Sequence, residues 1–169
     1  MDRAIRHAPK GTWPATAAGD SVTLDFDGRH RRRIMLKTDR GRELLLELEK
    51  AVAMADGDGL ELATGGWLKV IAAPEPLVEI TASDPGTLVR IAWHLGNRHL
   101  PMGFAGDRLC IRPDHVIEAM VAGLGGALRR LDAPFQPEGG AYAGPHRAHG
   151  HDHDQDDEPG YGHDHSRRH

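Results

Sequence analysis

Twelve histidines stand among 169 residues, and they are unevenly placed. His146, His149, His151, His153, His163, His165 and His169 all fall in the last 24 residues, with Asp152, Asp154, Asp156, Asp157, Glu158 and Asp164 between them. Neutral imidazole is a good ligand for nickel, copper and zinc. One imidazole binds weakly, but several on one chain raise the local ligand concentration and wrap an ion without a rigid pocket. The neighbouring carboxylates lower the net charge of the complex. The repeated His-Asp-His pattern is a compositional metal signal. Its irregularity, with Asp, Gly, Pro and Arg interspersed, separates it from an expression tag, which is an unbroken histidine run. The tail alone does not select the metal.

Five histidines lie elsewhere: His7, His30, His94, His99 and His115. His99 follows Gly96 and so leaves a helix on an irregular, exposed segment. A lone histidine there is ordinarily a solvent residue. His115 sits on the opening turn of a second helix. His94 lies off the apolar stripe of its helix and reads as a surface residue beside the site. His7 and His30 have no evident ligand partner. Cys110 is the only cysteine, which precludes an intramolecular disulfide and fits a reducing cytosol. At a strand end it reads as a packed thiol. No His-Glu-X-X-His word occurs, and no general base stands at fixed spacing from a ligand cluster, which argues against a hydrolytic metalloenzyme.

The elements that would position these residues follow from hydrophobic period. Residues 21–26, 33–37, 43–48, 60–63 and 67–72 read as strands, punctuated by turns at Asp27-Gly28, residues 38–41, Asp56-Gly57-Asp58-Gly59 and Thr64-Gly65-Gly66. Residues 44–50 also favour a helix by composition, but the flanking turns select a strand. Residues 1–18 give no clear element. The whole predicts a small all-β domain over residues 1–73. Ala73-Pro74-Glu75-Pro76 then reads as a boundary where prolines interrupt the ladder.

Beyond it the pattern changes. Residues 77–81 form a strand, and Asp84-Pro85 starts a helix with Leu88, Ile91, Ala92 and Leu95 on one face and Gly96 as its C-cap. Residues 101–104 and 108–111 predict a hairpin around Ala105-Gly106-Asp107. Pro113 opens a second helix with Val116, Ile117, Met120, Val121 and Leu124 on its apolar side, and residues 127–131 form a last strand. This β-α-β-β-α-β order over residues 77–142 is the ferredoxin-like arrangement, one antiparallel sheet with two helices on one face. Residues 133–142 read as an extended exit. Residues 143–169 lack large aliphatic side chains and are expected to be a disordered, metal-binding tail. The fold class is therefore α+β.

A net charge of −4 gives no general attraction to nucleic acid or anionic lipid. Arg29-His30-Arg31-Arg32-Arg33 is a local exception that reads as a solvated strand edge, where charge resists unwanted pairing. No stretch approaches the roughly 18 apolar residues of a membrane span, and the N-terminus has no apolar run of signal-peptide length. A cytoplasmic protein without nucleic-acid or membrane partners is the expectation.

The word His94-Leu95-Gly96-Asn97-Arg98-His99-Leu100-Pro101, then Asp114-His115-Val116, then residues 134–142 (Pro-Phe-Gln-Pro-Glu-Gly-Gly-Ala-Tyr) and the histidine-rich end resemble the urease accessory protein UreE family. The Asp27–Arg33 stretch and Asp56-Gly57-Asp58 extend the resemblance into the first half. It implies a homodimer with a β-rich N-terminal domain engaged in protein contacts and a ferredoxin-like C-terminal domain. It implies nickel, Ni(II), held at the dimer interface through His99. The metal would pass to a urease accessory GTPase and the urease apoprotein–accessory protein complex. His115 matches the family's second histidine position. Where some relatives carry another histidine two residues earlier, this chain has Pro113, so a His-X-His peripheral site is not supported. Two-fold symmetry would present His99 twice and make two facing ligands, leaving positions for tail histidines and water. Zn(II) or Cu(II) are competing ions, and a passive nickel or zinc buffer acting through the tail is the alternative.

Overall fold

A computed structural model of the chain describes residues 2–139. Strands β1 (Asp2–Ala8), β2 (Ala18–Leu24), β3 (His30–Lys37), β4 (Glu43–Ala53), β5 (Gly59–Leu62) and β6 (Trp67–Ala72) form one sheet in the order β2-β6-β5-β1-β4-β3. Leu44, Leu46 and Leu48 of β4 are buried while Glu43 and Glu49 are exposed. That period of two decides for a strand over the helix its composition allowed. With Ala4, Val22, Leu36, Leu60, Leu68 and Val70 these leucines build one core, each fully buried leucine contributing about 2 kcal/mol.

The first residues depart from expectation. Residues 2–8 are not an undetermined start but a strand inside the sheet, parallel to β4 and antiparallel to β5. Its buried side chains are Ala4 and Ala8. Alanine carries little strand propensity, so only the neighbouring strands make this segment extended. At the far edge, β3 exposes Arg31, Arg32 and Arg33, as an edge strand requires. Arg29, one residue before β3, departs from that reading: it is 4% exposed rather than solvated, because the chain folds over it.

Strands β7 (Pro74–Ala82), β8 (Gly103–Ala105), β9 (Arg108–Ile111) and β10 (Gly126–Pro134) form a second sheet in the order β10-β7-β9-β8, with helices α1 (Pro85–Gly96) and α2 (His115–Gly123) between them in the chain. Each neighbouring pair is antiparallel. In chain order the strands lie fourth, first, third, second, which is the ferredoxin-like arrangement. Val78, Ile80, Ile91, Leu95, Leu109, Ile111, Ile117 and Val121 make its core. Asp84 caps α1 by accepting from the Thr87 N–H at 2.9 Å. Gly106, with φ 65°, takes the first central place of the two-residue hairpin turn between Ala105 and Arg108.

The structure departs from three local expectations. Pro74 and Pro76 do not interrupt the ladder. They lie within β7, paired with Pro134 and Asp132 of β10, where β9 does not reach and the other side of the strand has no neighbour to donate to. Gly96 is the last residue of α1, and the C-cap is Asn97. Val116 is not on the buried face of α2 but 62% exposed.

Candidate metal centre

Helix α1 ends in stages. The Asn97 N–H reaches the Trp93 carbonyl at 3.1 Å, the Arg98 N–H that of Leu95 at 3.0 Å, and the His99 N–H that of Gly96 at 3.1 Å. The bonds shorten from four residues back to three, so the last turn tightens before the helix stops. The Arg98 guanidinium donates to the His94 carbonyl at 3.0 Å and covers an acceptor of that turn. His99 then adopts φ 53°, the only positive φ of a non-glycine among the described residues. An L residue there costs of order 1 kcal/mol. Strain of this kind concentrates at ligand clamps and switch regions. The imidazole is exposed, while Leu100 and Met102 just beyond it are half-buried in the ferredoxin-like core. The ring thus stands on a backbone anchored by Leu95 behind it and Leu100 ahead.

His115 is the first residue of α2, and its ring is exposed as well. Asp114 caps this helix, accepting from the Val116 N–H at 2.9 Å and the Ile117 N–H at 3.1 Å. Leu100 and Pro101, which follow His99, and Pro113 and Asp114, which precede His115, line one cleft of about 500 Å³ with Glu75 and Arg112. The fold therefore brings the two histidine-bearing loops to the same cleft. Among the described residues, no three His, Cys, Asp or Glu side chains converge closely enough to hold an ion.

The helix that ends before His99 and the helix that begins at His115 both expose apolar groups. Val89 and Trp93, one turn apart on α1, are 68% and 64% exposed, and Val116 follows His115 directly. His94 is half-buried with its ring edge-on to Trp93 at 4.9 Å. Cys110 lies opposite Glu79 across the sheet. Burial, and then the Glu79 carboxylate, push its thiol up, as for a packed group rather than a ligand. His30 is exposed on the edge strand β3. The seven tail histidines, His146 to His169, lie outside the described residues.

Sequence reasoning missed the use of His7. Its Nε2 lies 2.7 Å from Asp58 Oδ2. Asp58, 4% exposed, also accepts from the Lys10 N–H at 2.8 Å and the Ala55 N–H at 2.7 Å. Burial pushes this carboxyl up, but the His7, Ala55 and Lys10 hydrogen bonds outweigh it and hold the group below the usual carboxylate range. The only sequence signal was the Asp56-Gly57-Asp58 turn, whose aspartates fold back on their surroundings.

A mixed six-stranded sheet followed by a ferredoxin-like layer makes the protein α+β. Residues 2–73 match the family model described as the UreE urease accessory protein N-terminal domain, and residues 75–169 match its C-terminal counterpart. The chain is 57% identical over 150 residues to the urease accessory protein UreE of Bradyrhizobium sp. (strain ORS 278), covering 89% of this chain and 71% of the relative. It is 55% identical over 151 residues to that of Bradyrhizobium sp. (strain BTAi1), covering 89% and 73%. It is 51% identical over 149 residues to that of Beijerinckia indica, covering 88% and 86%. The chain belongs to the urease accessory protein UreE family. Its role is accessory to urease maturation, and it is not itself an enzyme.

Proposed function

We propose that the protein is a cytoplasmic nickel carrier that holds Ni(II) between two copies of itself and delivers it, through a partner GTPase, to the urease apoprotein complex. The observation that carries this reading is His99: an exposed imidazole on a strained backbone just past α1, a helix that also exposes Val89 and Trp93. Exposed apolar side chains one turn apart on a helix favour a partner, and a second copy would bring a second His99 across a two-fold axis. Two imidazoles leave coordination positions open on nickel, which suits an ion that must be released. His115 is a secondary ligand, and His146, His149, His151, His153, His163, His165 and His169 form a reservoir. Zinc and copper are competing ions in vitro, since imidazole binds all three.

The test is a calorimetric nickel titration of full-length protein and His99→Ala, paired with urease activation in a reconstituted assay and dimer mass measured alongside. His99→Ala removes two ligands per dimer and opens no core cavity, so the fold is retained. The tight component of the titration and the activation both disappear, while total capacity falls only slightly. His146→Ala, in the redundant tail, changes neither. Full activation by His99→Ala would instead favour a passive buffer acting through the tail.

A further inference from the structure

Three stretches that nickel binding does not use meet in one place. They are Arg29 after the Asp27-Gly28 turn, the Asp56-Gly57-Asp58 turn, and the strap of residues 134–138 that leaves β10. The buried Arg29 guanidinium donates to the Met54 carbonyl at 3.0 Å and to the Phe135 carbonyl. Phe135 is itself 1% exposed and meets Phe26 edge-on at 5.3 Å. The Asp56 N–H donates to Gln136 Oε1 at 2.7 Å. From the other layer, Glu75 accepts from the Phe26 N–H at 2.9 Å, and Arg112 pairs with Asp27 at 2.9 Å. Apart from the bond to Met54, which stays within the six-stranded layer, each of these contacts joins that layer to the strap or to the ferredoxin-like layer.

The far end of the strap touches the loop that carries His99. The Glu138 N–H donates to the Met102 carbonyl at 2.8 Å, three residues past His99. Gly103 admits the strap closely: a Cβ there would stand 3.2 Å from the Gln136 carbonyl oxygen. Arg29 Nε, meanwhile, is buried with no hydrogen-bond partner among the described residues. Burial pushes the guanidinium pKa down, against the pull of Glu75, Asp56, Asp25 and Asp58. A buried charge with a donor left over is weak evidence for a stability device, and its clearest use is to specify geometry.

We infer that Arg29 is a positioning residue for the His99 loop. It acts through the strap, so the six-stranded sheet sets the geometry in which nickel is held. This rests on the reading of His99 as a nickel ligand. Groups that orient a ligand from outside typically change metal affinity by about 10- to 100-fold when removed.

The experiment uses four full-length variants: Arg29→Met, Arg29→Lys, Gly103→Ala and His99→Ala. Nickel titration, amide exchange at Glu138 and thermal melting are recorded for each. In Arg29→Met the Glu138 amide is expected to exchange at least about tenfold faster. Its tight nickel component weakens by about tenfold, with the weaker components unchanged. Arg29→Lys, which keeps the charge and reaches one carbonyl, recovers part of both losses. Gly103→Ala pushes the strap from the loop side without touching Arg29, and it reproduces the effect to a smaller degree. It also carries the test alone if Arg29→Met does not fold. The inference is overturned if the tight component survives in folded Arg29→Met and Gly103→Ala while His99→Ala abolishes it. Equal weakening of every nickel component together with a lowered melting point would overturn it too, as the mark of a purely structural role. Should His99→Ala keep the tight component, the ligand reading has failed. Exchange at Glu138 then decides alone, faster exchange sustaining the link from Arg29 to the loop and unchanged exchange ending it.

Discussion

The two sheets use their polar side chains in opposite ways. In the six-stranded layer, apart from the exposed His30 and Arg31 to Arg33 of β3, several are spent on holding the fold. Asp58 gathers His7 and two backbone N–H groups, and Asp39 accepts from the Ser21 hydroxyl at 2.5 Å and the Thr23 hydroxyl at 3.0 Å. Arg29 holds two carbonyls. In the ferredoxin-like layer the carboxylates also serve the fold: Asp84 and Asp114 cap helices, and Glu79 is bound first by Arg129 and then by Arg108. His99 and His115 are left outward, and so are Val89, Trp93 and Val116. A histidine ring largely buried against a carboxylate, as His7 is at 14% exposure, is out of reach of a travelling ion, whereas an outward ring on an anchored loop is within reach of one. His7 and His99 are the two ends of that contrast.

Breaking the inward side gives the largest effect. Asp58→Ala strands the Lys10 and Ala55 N–H groups and the His7 ring, and a stranded buried polar group costs about 1–3 kcal/mol. A loss of about 3 kcal/mol is expected by urea unfolding, with the His99 loop untouched. The pH dependence carries a sign. The Asp58 carboxyl is held below its ordinary range in the folded protein. Its contribution is therefore complete above the unfolded carboxylate value of about 3.9 and is lost as pH falls through the folded one. The gap between wild type and Asp58→Ala is expected to narrow from about pH 5 downward. A gap that stays constant to pH 2 would show that the carboxylate charge is not what those donors require.

The outward side is tested by Trp93→Ala. With 64% of its surface already exposed, Trp93 adds little to the folded monomer, and melting of the isolated fold is expected to change by less than about 0.5 kcal/mol. If it is an anchor between two copies, its loss weakens association by about 2 kcal/mol, roughly 30-fold. Sedimentation across a concentration series reads this directly. An unchanged dimer, or a monomer in both proteins, would detach the apolar pair from the proposed interface.

Much of this contrast was legible in the residues, and the reasons it was not all legible are physical. The ferredoxin-like order follows from strong local signals: Asp84-Pro85, the Ile91–Leu95 stripe and the Gly106 turn each act within a few residues. The strand at residues 2–8 depends on β4 and β5, which arrive some forty or more residues later, so its alanines carry no local signature. Arg29 stands in a run of basic residues, and only the strap returning from residue 135 buries it. His99 was visible from its word, but its positive φ was not, because the expectation placed the helix stop at Gly96 and the chain continues helically to Asn97.

The smallest expected effect separates the two outward histidines from each other. Both are exposed and both are chain neighbours of residues that line the same cleft, yet they sit at opposite helix ends. His99 follows the C-terminus of α1, where the helix dipole is negative and a cation is favoured. His115 is at the N-terminus of α2, where the dipole is positive and opposes one. The Asp114 carboxylate offsets part of that opposition, but its oxygen is already accepting from Val116 and Ile117. Such end effects are worth about 0.3–1 kcal/mol, so of the two proposed ligands His115 would be the weaker even with equal geometry. His115→Ala is accordingly expected to leave the melt within about 0.5 kcal/mol, since Asp114 continues to cap the helix. It lowers the tight nickel affinity by only about two- to threefold, against complete loss in His99→Ala. A His115→Ala loss as large as that of His99→Ala would make the two rings equal partners and remove the helix ends as the basis for telling them apart.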